Sequence, residues 1–185
     1  MHLLVTLALG VIIGLLGWGT DVLGEKALAN GLSQTKLWDI ADVLLPQVPD
    51  ILRTFNDVLI FLVIACALLW LPQRWAFVQL WVIIMVLRGL FNIVTIMPIL
   101  DRCGTLFGVD IVGCHDKIFS GHFATMLLTL LFLHANGLIS LPLLLFIAIA
   151  YALLILITRS HYTIDILVAT VVVLWIYTLR DSLVS

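Results

Sequence analysis

Two short polar clusters in the second half of the chain combine residue types that transfer protons and bind anions. One is the tripeptide SGH at 120–122, and the other is the pentapeptide HYTID at 161–165. If the pentapeptide opens a helix, His161 and Asp165 lie four residues apart on one face, and the carboxylate can reach the imidazole. A carboxylate that holds one imidazole nitrogen fixes the tautomer and leaves the other nitrogen as a nucleophile or base.

The tripeptide points to anion binding. Ser120, Gly121 and His122 are expected at the start of a helix, where free backbone N–H groups and the helix dipole favour a phosphate. Gly121 would let a ligand approach the backbone closely. The pair of His161 and Asp165 could alone be a structural hydrogen bond, but a second histidine on the same side favours a catalytic site.

The composition excludes a water-soluble domain. Of the 185 residues, 63% are hydrophobic and 11% are charged, where soluble proteins have about 45–50% and about 25%. Nine Lys and Arg against eleven Asp and Glu exclude the basic surface that nucleic-acid binding requires. We therefore expect an all-α integral membrane protein built as a bundle of transmembrane helices.

Charged residues divide the chain into apolar runs, because an ionised side chain at the bilayer centre costs at least ~2.5 kcal/mol. The runs predict a single domain, 1–185, with a polar surface segment at 21–57 that holds short interfacial helices. The predicted spans are about 3–20, 58–72, 75–97, 118–135, 140–158 and 163–179. The first run lacks the basic residues that begin a signal peptide, so we interpret it as a retained span. Six crossings would place 21–57, 101–117 and 159–165 on one side of the membrane, together with both polar clusters.

Arg88 lies inside the predicted third span. Thirteen uncharged residues precede it and twelve follow it, so the guanidinium has a long route to either membrane surface. Snorkelling is the alternative, but we predict that Arg88 faces the interior of the bundle and binds an anion.

Two cysteines fall in the predicted loop 101–117. Cys103 and Cys114 would form a disulfide if this loop faces an oxidising compartment, and would be free thiols if it faces the cytosol. No pair of cysteines has the C-x-x-C spacing of a metal site, and the sequence predicts neither a metal nor a cofactor.

Both clusters resemble the motifs of a known family of lipid enzymes. Residues 114–122, CHDKIFSGH, are similar to the C-G-D-x-x-x-S-G-H-T motif of sphingomyelin synthases and their relatives, and residues 161–165 are similar to their H-Y-T-x-D motif. Residues 46–50 and 74–98 resemble further parts of the family, so the resemblance covers about 46–177. The family belongs to the lipid phosphate phosphatase superfamily, whose fold is a six-helix membrane bundle with its site at one membrane face.

The resemblance implies a role for each matched residue. His161 would be the nucleophile that attacks the lipid phosphorus, Asp165 would orient it, and His122 would protonate the departing diacylglycerol oxygen. The expected substrate-binding residues are Arg88, Asp116, Ser120, Gly121 and Tyr162. Superfamily phosphatases carry an Arg six residues before the nucleophilic His, whereas this chain has Ile155 there and is closer to the synthase branch.

The implied activity is transfer of a phosphocholine or phosphoethanolamine head group from a glycerophospholipid to a lipid hydroxyl, such as that of ceramide or diacylglycerol. His115 replaces the family Gly and Phe123 replaces its Thr, so head-group and acceptor preference stay open. A lipid phosphatase or phospholipase C with the same residues is the first alternative, and a non-catalytic membrane scaffold is the second. The family places its site on the exoplasmic face, and we follow the family although the distribution of Lys and Arg favours the cytoplasmic face.

Overall fold

The protein is mostly helical, and its computed structural model describes residues 2–31, 37–46, 48, 51–95, 105–106, 109–110 and 118–183. The helices are α1 (His2–Ala29), α2 (Ile40–Leu44), α3 (Ile51–Trp70), α4 (Arg74–Val94), α5 (Gly121–Ala135), α6 (Leu141–Ile157), α7 (Thr163–Thr178) and α8 (Arg180–Leu183). Two short strands, β1 (Thr105–Leu106) and β2 (Val109–Asp110), pair antiparallel between α4 and α5.

Two of the described helices, α3 and α4, are long and apolar enough to cross a membrane, judged by length and composition alone. The helices α5, α6 and α7 are also apolar but have 15, 17 and 16 residues. At 1.5 Å per residue they are about 22 to 26 Å long, somewhat less than the ~30 Å hydrocarbon core of a bilayer. The structure therefore confirms the all-helical class and candidate spans, while the count of six crossings stays a prediction.

The helices extend into both ends of the segment 21–57, which the sequence predicts as a polar surface segment. α1 continues to Ala29, and α3 begins at Ile51 rather than near Val58. Charged residues mark where an apolar run ends, but the backbone hydrogen bonds of a helix can continue past them. The part between these helices holds α2, a short helix of the kind expected there. As a result, Asp57 lies within α3.

α5 forms the centre of the bundle, since it packs against α3, α4, α6 and α7. Nine of its fifteen residues are buried. The outward faces of the surrounding helices carry exposed large apolar side chains, among them Phe61, Phe146 and Trp175. A surface of this kind is unfavourable in water and fits a lipid environment.

The starts of α5 and α7 meet at one end of the bundle. Ser120 is the N-cap of α5, because its Oγ accepts a hydrogen bond from the Phe123 N–H over 3.3 Å. The backbone N–H of Ser120 donates to the carbonyl of Asp165 in the first turn of α7, over 3.4 Å. These contacts bring the two polar clusters of the sequence to the same place.

Candidate active site

His161 and Asp165 form a buried pair. His161 Nδ1 lies 3.2 Å from Asp165 Oδ2, and the two side chains are 6% and 0% exposed. The backbone N–H of Tyr162 donates to the same carboxylate oxygen over 2.9 Å, which fixes the carboxylate at the start of the helix. The contact expected from the spacing is present. However, His161 precedes α7, which begins at Thr163, and reaches Asp165 from the turn before the helix rather than from a helical face.

His122 has a carboxylate partner of its own, on a different helix. Its Nε2 lies 2.9 Å from Oδ1 of Asp57 on α3, and both side chains are about one quarter exposed. Asp57 is a site residue that the sequence does not predict, because its approach to His122 results from the packing of α3 against α5. The one available signal was that Asp57 is the last acid before a long uncharged run.

The two imidazoles lie close together. Their ring centroids are 6.5 Å apart, and the ring planes are inclined by 58°. Reacting atoms approach to about 3–3.5 Å before bond formation, so this separation suits a phosphoryl group between an attacking nitrogen and a proton donor. Each ring is oriented by a carboxylate, His161 by Asp165 and His122 by Asp57.

Arg88 reaches the start of α5 from α4. Its Nε donates to the carbonyl of Phe119 over 3.1 Å. A Cβ built on Gly121 would lie 2.8 Å from the same Nε, so a side chain at this position would displace the guanidinium. Arg88 thus occupies space beside Gly121, and contact of Gly121 with a ligand stays a prediction. A guanidinium beside the first N–H groups of a helix is a favourable place for a phosphate.

Two of the predicted substrate-binding residues are buried and make structural contacts. The Ser120 hydroxyl caps α5, and the Tyr162 hydroxyl accepts a hydrogen bond from the Leu37 N–H over 3.4 Å. Contact of either residue with a substrate stays a prediction. Asp116, Cys103 and Cys114 lie outside the described residues.

Asp39 links the surface segment to the start of α7. It is buried, and its carboxylate accepts from the N–H and the hydroxyl of Thr163 over 2.6 and 2.7 Å. It also accepts from the Ala41 N–H over 2.8 Å. One side chain therefore satisfies donors in the first turns of both α2 and α7, which would otherwise have no partner within their own helices.

Arg159 makes a second tie between the same segments. Its NH2 group donates to the carbonyl of Leu45 over 2.8 Å, and its NH1 group pairs with Asp42. The residue is buried and adopts a left-handed backbone with φ of 52°, which is uncommon for a residue with a side chain. Arg159 therefore holds the end of α2 against the turn that carries His161.

Replacing Asp39 by alanine is expected to lower the free energy of unfolding by about 2 kcal/mol, because buried donors on two helices lose their acceptor. Thermal unfolding of the purified protein in detergent measures the change. Asp181→Ala is the matched control, since Asp181 is exposed on α8 and pairs with its neighbour Arg180. Equal stability of the two variants would contradict the capping role of Asp39.

One comparison with known proteins covers this site. Residues 113–182 match the family model described as PAP2 superfamily C-terminal. The match includes His122, His161 and the helices α5, α6 and α7. It supports the PAP2, or lipid phosphate phosphatase, superfamily. Proteins of this superfamily are generally phosphatases and typically membrane-associated. No curated protein matches the chain significantly.

Proposed function

On the premise that residues 113–182 match the PAP2 superfamily, we propose that this protein is a membrane enzyme that cleaves a lipid phosphate ester through a phosphohistidine. The observation that carries the proposal is the pair of carboxylate-bound imidazoles, whose centroids are 6.5 Å apart. A buried ionisable pair such as His161 and Asp165 is weak as a source of stability, so a purely structural scaffold gains little from it.

In the first step, Nε2 of His161 attacks the phosphorus of a glycerophospholipid. The Asp165 carboxylate holds Nδ1 and stabilises the positive charge that develops on the ring as the N–P bond forms. The P–O bond to diacylglycerol breaks, and the protonated ring of His122 gives its proton to the departing oxygen. Arg88 and the start of α5 stabilise the charge on the phosphoryl oxygens.

In the second step, His122 is neutral and acts as the base. It takes the proton of an acceptor hydroxyl, whose oxygen attacks the phosphorus while the N–P bond to His161 breaks. A lipid hydroxyl as acceptor gives a new phospholipid with the transferred head group, and water gives the free phosphorylated head group. Asp57 holds the ring of His122 in place through both steps.

We propose transfer to a lipid hydroxyl rather than hydrolysis, with phosphatidylcholine or phosphatidylethanolamine as donor and ceramide as acceptor. The resemblance of residues 161–165 to the H-Y-T-x-D motif supports this branch, as does Ile155 at the position of the phosphatase Arg. Burial of His161 and Asp165 limits the access of water to the intermediate. Following the same resemblance, we place the site on the exoplasmic face. Hydrolysis is the second candidate, because the superfamily that residues 113–182 match is generally one of phosphatases.

The experiment that separates these reactions uses phosphatidylcholine labelled in its head group. Purified protein is incubated with this donor in mixed micelles, with and without ceramide. Transfer predicts a labelled ceramide product that requires the acceptor, whereas hydrolysis predicts labelled phosphocholine in either case. If neither product forms from phosphatidylcholine, and none forms from phosphatidylethanolamine or phosphatidic acid, the proposal of a lipid enzyme fails.

Replacing Asp57 by asparagine is expected to lower kcat by about 10²-fold, a share of the 10²–10⁴-fold that general acid–base catalysis contributes. The amide keeps the shape of the side chain but removes the negative charge beside the ring of His122. The labelled-donor assay measures kcat, and Asp181→Asn, which removes an exposed carboxylate, is the matched control. A kcat for Asp57→Asn equal to that of the control would remove Asp57 from the mechanism.

A further inference from the structure

An apolar groove of about 690 Å³ runs along the outside of the bundle between α3, α5 and α6. Its walls are almost entirely hydrocarbon, with side chains such as Leu62, Leu130 and Ile147. A volume of this size lies within the range of about 300–1,000 Å³ found for small-molecule sites. The groove opens toward the lipid-facing side of the helices, where lining residues such as Phe146 are exposed.

The groove begins next to the candidate active site. On α3 it starts at Leu59, two residues after Asp57, and on α5 it starts at Met126, one turn after His122. It then follows α3 to Leu71 just beyond the end of that helix, a distance of about 18 Å at 1.5 Å per residue. The hydrocarbon core of a bilayer is about 30 Å thick, so the groove has the depth of about one leaflet.

Tyr151 gives the groove a polar group. Its side chain lines the groove, is 4% exposed, and carries a buried hydroxyl for which no hydrogen-bond partner exists within the described part of the chain. Leaving such a hydroxyl without a partner is costly, and a ligand oxygen would remove that cost. Tyr151 lies in the second half of α6, whose end leads to the turn with His161, so it lies toward the active-site end of the groove.

From this continuity we propose that the groove binds one acyl chain of the lipid substrate, and that the Tyr151 hydroxyl donates a hydrogen bond to the ester carbonyl of that chain. This inference rests on the proposed function, because it requires a lipid whose phosphate lies between His122 and His161. Lipid tails are as apolar as the groove, so the chain gains little affinity by leaving the bilayer. Its effect is on orientation: a fixed chain holds the glycerol–phosphate bond in position for attack.

Replacing Ala150 by tryptophan tests the groove, because Ala150 lines it and the larger side chain would fill it. The matched control is Ile149→Trp, since Ile149 is on the same helix, is 61% exposed and is absent from the lining. For each variant, kcat/KM is measured with dipalmitoyl and with dihexanoyl phosphatidylcholine. We expect the long-chain to short-chain ratio to fall about tenfold in Ala150→Trp, as misplacement of a substrate lowers turnover, and to keep the wild-type value in Ile149→Trp.

A wild-type ratio in Ala150→Trp would overturn the inference that the groove binds a chain of the substrate. If wild-type protein turns over neither of these lipids, and neither phosphatidylethanolamine nor phosphatidic acid, the proposed function itself fails. The two failures are therefore distinguishable, because the first requires a working enzyme.

Replacing Tyr151 by phenylalanine tests the hydroxyl without adding bulk. We expect KM for the ester-linked dipalmitoyl lipid to rise about fivefold, the effect of one lost hydrogen bond. An ether-linked dihexadecyl analogue lacks the carbonyl, so its KM should be the same for wild type and Tyr151→Phe. An equal change in KM for both lipids would overturn the contact between Tyr151 and the ester.

Discussion

Replacing His161 by alanine is expected to lower turnover of the labelled phospholipid by at least about 10⁴-fold, because loss of a nucleophile removes the covalent route. The substitution also removes the imidazole that pairs with Asp165, so a loss of folding has to be separated from a loss of chemistry. His161→Gln serves this purpose, since its amide can donate to the carboxylate but cannot form the intermediate.

Rapid quenching supplies the direct measurement. In wild-type protein, the labelled head group should appear on the polypeptide within one turnover and should be released by acid, as expected for a phosphorus–nitrogen bond. Neither His161 variant should carry label. The control is His134→Ala, because His134 is exposed near the end of α5 and bonds to the Ile139 carbonyl. Turnover by His161→Gln within about tenfold of wild type would exclude a covalent role for this residue.

Replacing His122 by alanine is expected to lower turnover of phosphatidylcholine by about 10³-fold, the middle of the range for general acid–base catalysis. The two proposed roles of His122 are separable with p-nitrophenyl phosphocholine, whose leaving group departs without a proton. The variant should then release a burst of p-nitrophenolate at the wild-type rate, equal to the amount of enzyme. Steady-state turnover should stay slow, because the second step still lacks its base.

The burst distinguishes His122 from His161. His161→Ala should give neither burst nor turnover with the activated donor, since no intermediate forms. If the burst in His122→Ala slows as much as the turnover of phosphatidylcholine, His122 does not protonate the leaving group, and its contact with Asp57 has another purpose.

The spacing of residues close in sequence predicted the part of the candidate site that lies at the starts of α5 and α7. His161 and Asp165 are four residues apart, and the SGH tripeptide begins a helix through the capping preference of Ser120, so each arrangement is set within a turn of backbone. The charge of Arg88 within an apolar run likewise pointed to the interior. These features depend on neighbours in sequence, and the structure places them at one end of the bundle.

The contacts that come from the N-terminal half of the chain depend on how the helices pack. The spacing of residues in the sequence does not predict that packing. Asp57 meets His122 because α3 lies against α5, and Asp39 meets Thr163 because the segment before α2 folds over the start of α7. The helix bounds around 21–57 were missed for a related reason. Hydropathy locates the part of a helix that suits the bilayer, while the helix itself can begin and end outside that part.

The contacts that Asp39, Asp57 and Arg88 make with the second half of the chain bear on how much of the protein the proposed reaction needs. The region that matches the superfamily model, 113–182, contains His122 and His161 but not Asp57, which pairs with His122. It also lacks Asp39 and Arg88, which bond to Thr163 and to the Phe119 carbonyl next to these histidines in sequence. Excised from the rest of the chain, that region would keep the proposed nucleophile, His161. It would lose the carboxylate partner of His122, the guanidinium of Arg88 and the carboxylate that caps α7. The family match therefore covers only part of the residues that the proposed reaction requires.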